Sequence, residues 1–165
     1  MLSIKIASAD DINDIISLNF KIWPQTYSHI LQEDQIAYML QLMYSPEALK
    51  KQMDSGHTFI ICTDEQEEQV GFASFSKIED DVYKLHKIYI LPGKQGLGIG
   101  QFMLHYITES LQEKYAKFLE LNVNIRNQQA QHFYKKTGFI LYREEDIDIG
   151  NGYYMNDYVL RKPLS

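Results

Sequence analysis

The sequence predicts a mixed α/β (α+β) domain with a central, mostly antiparallel sheet flanked by helices. Three observations point there. Apolar residues recur at helical spacing through the first third of the chain. From His57 to Leu91 the spacing shortens to that of strands, with turn residues between them. Thereafter helix and strand alternate up to a closing hairpin. The order is strand, two or three helices, three strands, helix, strand, helix, two strands, which is not the strict β-α-β alternation of a doubly wound dinucleotide fold. No linker, repeat or low-complexity tract divides the 165 residues, so one domain spanning 1–165 is expected. A chain of that size buries about two-thirds of the surface its unfolded form exposes.

Each element has a local reason. Residues 2–6 alternate as a strand. Ser8 with Asp11 reads as a capping box opening a helix through Ile12, Ile15, Ile16, Asn19 and Phe20, ended by Trp23-Pro24. A second helix is predicted over 33–43 from Ile36, Leu40 and Met43. Ser45 caps a third, with Pro46 at its first position, running through Met53. His57–Thr63 and Val70–Lys77 read as antiparallel strands around an acidic turn at 64–69, and Val82–Leu91 as a further strand stopped by Pro92-Gly93. An amphipathic helix follows from Gly98 to Lys114, with Ile99, Phe102, Met103, Tyr106, Ile107 and Leu111 on its inner face. Phe118–Val123 is a strand. Asn127 caps a helix that ends at Gly138, and two strands flank the hairpin signal Asn151-Gly152.

Composition narrows the function. The formal charge of −6 disfavours a phosphate-backbone surface, so nucleic acid is not an expected partner. Cys62, the single cysteine, excludes an internal disulfide and lies in an apolar run where a buried, inert thiol is expected. No stretch has signal-peptide or membrane-spanning character, so no membrane partner and a cytoplasmic location are expected. His29, His57, His105 and His132 show no metal-ligand spacing, and no metal is expected. Twelve tyrosines suit a polar ligand pocket and equally a tyrosine-rich core.

The segment Ile88-Tyr89-Ile90-Leu91-Pro92-Gly93-Lys94-Gln95-Gly96-Leu97-Gly98-Ile99-Gly100 carries the strongest signal. A strand runs into a glycine-rich turn that opens directly into a helix. Helix N-termini carry about half a positive charge and several unpaired N–H groups, and glycines let backbone approach an anion. The dinucleotide pattern fails at Gln101, and the P-loop pattern fails at Ile99, where lysine is required. What remains, Gln95-x-x-Gly98-x-Gly100, resembles the phosphate-loop signature of the GNAT N-acetyltransferases. Asn127-Gln128-Gln129-Ala130-Gln131-His132-Phe133-Tyr134-Lys135-Lys136-Thr137-Gly138-Phe139 is similar to the second signature of that family at every defining position. The resemblance is strong over 82–140 and otherwise lies in element order. A weaker likeness, to the polyamine-acetylating branch, lies around Trp23–Met43.

The resemblance implies the GNAT fold, acetyl-coenzyme A as co-substrate and an amine acceptor. It implies a pyrophosphate loop of Gln95, Gly96, Leu97, Gly98, Ile99 and Gly100. Ile88, Tyr89 and Ile90 would pair through their backbone with pantetheine amides. Asn122, Asn127 and Lys136 would line the cofactor arm, and Tyr134 would sit beside the thioester sulfur. A primary amine of pKa ~10.4 is almost wholly protonated at neutral pH, so its deprotonation must be helped by about 4 kcal/mol. The departing thiolate leaves faster with a proton donor, and Tyr134 fits that role. His86 shares the strand parity of Ile88 and Ile90 and is the candidate base, in place of the carboxylate many relatives use. Trp23 and Tyr27 offer cation–π faces, and Glu33 offers charge pairing, to a small-molecule amine. Peptide acceptors, a non-catalytic coenzyme A sensor, a longer acyl group and a homodimer remain open alternatives.

Overall fold

The computed structural model describes residues 1–164. Its elements are β1 (Ser3–Ile6), α1 (Ile12–Tyr27), α2 (Glu33–Tyr44), α3 (Pro46–Asp54), β2 (Thr58–Thr63), β3 (Gln69–Glu79), β4 (Val82–Ile90), α4 (Ile99–Gln112), β5 (Phe118–Asn124), α5 (Gln128–Lys136), β6 (Ile140–Gly150) and β7 (Tyr153–Pro163). The strands form a seven-stranded sheet in the order β1-β2-β3-β4-β5-β7-β6. The sheet is mostly antiparallel, with β4 and β5 parallel and joined through α4. This is the α/β class and the element order expected from the sequence. Contacts group the chain into two compact units, Met1–Ser76 with Lys87–Tyr106, and Lys77–His86 with residues 107–164.

In the first unit, β1 pairs with β2 from Ser3↔Thr63 to Ile6↔Ile60, and β2 with β3 from Thr58↔Phe75. Cys62 is fully buried there, and burial pushes its thiol up to about 11, in keeping with an inert role. The Ser8–Asp11 capping box is present, with the Ser8 N–H donating to Asp11 Oδ2 at 2.9 Å, and it opens one 3₁₀ turn that feeds α1. Two expectations for α1 need correction. Pro24 does not end the helix, which continues to Tyr27. Proline removes only its own N–H bond, whose acceptor would be the carbonyl of Phe20 one turn back, while Trp23 and Tyr27 on either side are buried. Phe20 is 59% exposed, and the buried stripe runs instead through Ile15, Leu18, Asn19, Ile22 and Trp23. Ser45 Oγ accepts from the Ala48 N–H at 3.2 Å, the cap expected for α3.

In the second unit, β4 and β5 run parallel from Val82↔Phe118 to Leu85↔Leu121. β7, next to the edge strand β6, pairs with β5 from Phe118↔Pro163 to Asn124↔Asp157, and with β6 across the closing hairpin. Asn151 (φ 56) and Gly152 (φ 79) both adopt left-handed conformations, as a two-residue turn between twisted strands requires. Ile107, Leu111, Leu119 and Leu160 are core residues. In the part of α4 that belongs to the first unit, Phe102, expected on the inner face, is 39% exposed, and Leu104 is buried in its stead.

Candidate active site

The glycine turn lies in the first unit. Gly93, Gly96 and Gly98 have φ of 86, 81 and 81°, and a Cβ built on any of them meets nothing within 4 Å. Conformation, not crowding, therefore demands glycine here, and the space beside the backbone is open. The Phe102 N–H donates to Gly98 O at 3.0 Å, the first bond of α4, so the N–H groups of Ile99, Gly100 and Gln101 in the first turn have no acceptor within the helix; Ile99 is buried, Gly100 half-buried and Gln101 exposed. Gln95, Gly96 and Leu97 are exposed. Lys94 anchors the turn on the β2–β3 hairpin through ion pairs with Glu68 at 3.4 Å and Asp64 at 3.8 Å. Leu91 N–H donates to Val70 O at 2.8 Å at the end of β4, where Ile88, Tyr89 and Ile90 are half-buried.

Behind this turn the same unit holds an aromatic cluster. The Trp23 ring lies 4.5 Å from that of Tyr27, tilted by 45°, 5.7 Å from that of Tyr44 and 6.0 Å from that of Tyr89. The Tyr27 and Tyr89 hydroxyls share a hydrogen bond of 2.9 Å. Trp23 is 1% exposed, so its faces are occupied by other rings, whereas Glu33 is exposed in the first turn of α2. The Tyr44 hydroxyl is fully buried close to the Trp23 indole N–H but outside good hydrogen-bond geometry, and burial raises its pKa well above that of an ordinary phenol. The buried Asn19 amide, one turn before Trp23 on α1, has no hydrogen-bond partner among the described residues. A charged member of this region was missed from sequence. Lys87 is 8% exposed, donates to Gln52 Oε1 at 2.8 Å, and lies 5.3 Å from the centre of the Tyr44 ring and 5.5 Å from that of Phe59. Burial lowers its pKa to about 8.

The second unit brings the other expected residues together. Asn127 Oδ1 accepts from the Ala130 N–H at 3.1 Å, which caps α5. Tyr134 is buried on that helix, its ring 5.4 Å from Phe133 and 5.6 Å from Phe139. Its carbonyl accepts from the N–H groups of Thr137 and Phe139, which closes the helix before Gly138 (φ 103). Lys136 is exposed in the last turn. His86 and Asn122 are each the first residue past the β4–β5 ladder, both half-buried. The Asn122 side chain is given to a residue not foreseen, Asp157 of β7, whose Oδ2 accepts from Asn122 Nδ2 at 3.1 Å.

A strand entering a glycine turn that opens a helix, and a capped helix carrying an inward tyrosine, on a mostly antiparallel sheet, define the class of coenzyme A-dependent acyltransferases. The family model described as "Acetyltransferase (GNAT) family" matches residues 12–139, and the chain belongs to that family, whose members are acetyl-coenzyme A-dependent N-acetyltransferases. An uncharacterised N-acetyltransferase of Mycobacterium tuberculosis is 25% identical over 154 residues, covering 93% of this chain and 98% of that protein. The PaiA N-acetyltransferase of Thermoplasma acidophilum, solved in complex with coenzyme A, superposes with a TM-score of 0.83 at 23% identity, over 99% of each chain. The Escherichia coli ribosomal-protein-S18-alanine N-acetyltransferase does so with a TM-score of 0.75 at 17% identity, over 100% of this chain and 95% of the other. Both structural likenesses concern the fold. No helix among the described residues is long and apolar enough to cross a membrane.

Proposed function

We propose that this enzyme transfers the acetyl group of acetyl-coenzyme A to a primary amine of a small molecule by direct attack. The carrying observation is the turn ahead of α4, where three left-handed glycines stand in open space beside the N–H groups of a helix start. That arrangement suits a pyrophosphate, whose charge the helix terminus stabilises. Gln95 to Gly100 take the pyrophosphate, the backbone of Ile88 to Ile90 takes the pantetheine amides, and Asn127 and Lys136 add polar contacts along the cofactor. Acetyl-coenzyme A supplies the activated thioester.

The protein groups then handle protons and charge. His86 accepts a proton from the acceptor's ammonium, directly or through water. The Ile90 N–H donates to the carbonyl oxygen as it gains charge. The Tyr134 hydroxyl gives its proton to the departing sulfur. Tyr27, with Trp23 packed against it, offers the acceptor an aromatic surface and Glu33 an exposed carboxylate, groups that would suit a polyamine-like cation.

The test is a thiol-release assay with a panel of spermidine, phenethylamine, an alanine-starting peptide and a lysine-containing peptide. Turnover with the small amines and little with the peptides supports the proposal. Preference for either peptide overturns the substrate class, and coenzyme A binding without turnover on any amine overturns the enzymatic reading.

A further inference from the structure

The second unit contains a carboxylate that acetyl transfer, as described, does not use. Asp157 of β7 is 5% exposed and stands opposite Asn124 of β5 and Glu145 of β6. Its Oδ2 is bonded to Asn122, but its Oδ1 is buried and accepts no hydrogen bond among the described residues. The same is true of Asn122 Oδ1. An ionised carboxylate only accepts, so Asn122 must turn its NH₂ toward Asp157, which leaves its own carbonyl oxygen as a second acceptor. Two buried acceptors on touching side chains, with no donor between them, call for a ligand that only donates.

The charges around the pair sharpen this. Strand parity and register put Lys84, His86, Glu120, Asn122, Asp157 and Arg161 on one face of the sheet. Arg161 is not the missing donor: its Nε donates to Glu120 at 2.9 Å and its guanidinium stacks on Tyr142 at 4.0 Å. Burial raises the Asp157 pKa, the Asn122 bond and the Lys84 charge lower it, and Glu145 raises it again. Lys84 acts on Asp157 through its charge but does not bond Asp157 Oδ1, so that oxygen is left for a donor from outside the fold.

We propose that Asn122 and Asp157 form the receptor for the acceptor's amino group, whose ammonium donates one N–H to Asp157 Oδ1 and another to Asn122 Oδ1. The pair orients the nitrogen, and Asp157 supplies its counter-charge, so the site prefers cationic primary amines to uncharged nitrogen nucleophiles. This rests on the amine-acetylation reading above and moves Asn122 from the cofactor arm to the acceptor side.

Asp157→Asn keeps the shape and removes the charge. With the panel amine that the wild type acetylates fastest, its KM should rise about 10-fold or more, the worth of one charge-assisted hydrogen bond. Acetyl-coenzyme A affinity by calorimetry should stay within about twofold, and Tm should not fall, because an acid strained by burial is a functional liability to stability. An unchanged amine KM overturns the proposal, as does an equal loss of acetyl-coenzyme A affinity, which would return the pair to the cofactor. Should Asp157→Asn fail to fold, Asn122→Ala gives a second reading: the same KM rise supports the receptor and an unchanged KM refutes it. A wild type that acetylates no amine would refute the amine reading itself, an outcome distinct from an active wild type whose variants keep their KM.

Discussion

Lys87→Met should change how stability responds to alkaline pH. The Lys87 ammonium is buried among Gln52, Tyr44 and Phe59, with no carboxylate among its contacts to the described residues. Desolvation lowers its pKa from 10.5 to about 8, a difference worth about 3 kcal/mol at 1.36 kcal/mol per unit. The two ring faces favour the charged form and bring that toward about 2 kcal/mol. Below pH 8 the lysine is charged in both folded and unfolded chains, and the folded state bears the whole cost. Between pH 8 and 10.5 the unfolded chain holds more protons than the folded one, so this group makes stability rise with pH. Above that window both forms are neutral and the cost has gone. Methionine has a similar length and no charge, so its contribution is flat. Urea unfolding of both proteins from pH 7 to 10.5 should show the stability of Lys87→Met relative to wild type declining by about 2 to 3 kcal/mol across the window. Titrating groups that do not feel the Lys87 charge cancel in the difference. A difference that does not vary with pH would refute the buried-cation account. The neighbouring His57, whose pKa is lowered by burial and then by Lys87, should titrate closer to its ordinary value in the variant.

Three further outcomes are expected. Gly98→Asp places a side chain at φ 81° in open space, so stability should drop by only about 1–2 kcal/mol, while the rise in Tm caused by acetyl-coenzyme A should vanish; a retained rise would refute the phosphate loop. Tyr134→Phe keeps the ring contacts with Phe133 and Phe139, so Tm and acetyl-coenzyme A affinity should hold while kcat and kcat/KM fall together about 100-fold; near wild-type turnover would refute the acid role. Gly71→Ala sets a Cβ 2.8 Å from Tyr89 O and 3.2 Å from Met103 Sδ, and because the first is β4 backbone the variant should lose about 1–3 kcal/mol, which an unchanged Tm would contradict.

What could be read from the sequence divides by the range of the forces involved. Caps and turns were legible because their chemistry is complete within four residues: Ser45 with Ala48, Asn127 with Ala130, Asn151 with Gly152. The glycine turn and Tyr134 were legible for the same reason, since a helix start and a helix face are local objects. Pro24 misled because the local rule against proline was outweighed by tertiary burial of Trp23 and Tyr27. The two unforeseen charged residues failed differently. Strand period already puts Lys87 on the face of Leu85 and Tyr89, and Asp157 on the face of Val159. Parity says which residues share a face but not whether that face is covered, nor what meets it. Lys87 finds Gln52 and Asp157 finds Asn122 across 35 residues each, through pairings that only the assembled fold creates. A charged residue at the parity of a buried apolar neighbour is thus the local trace of such a site. Of the two, Lys87 has its hydrogen bond supplied from within the protein. Asp157 and Asn122 each keep a buried acceptor unmatched, which is why the ligand belongs with them.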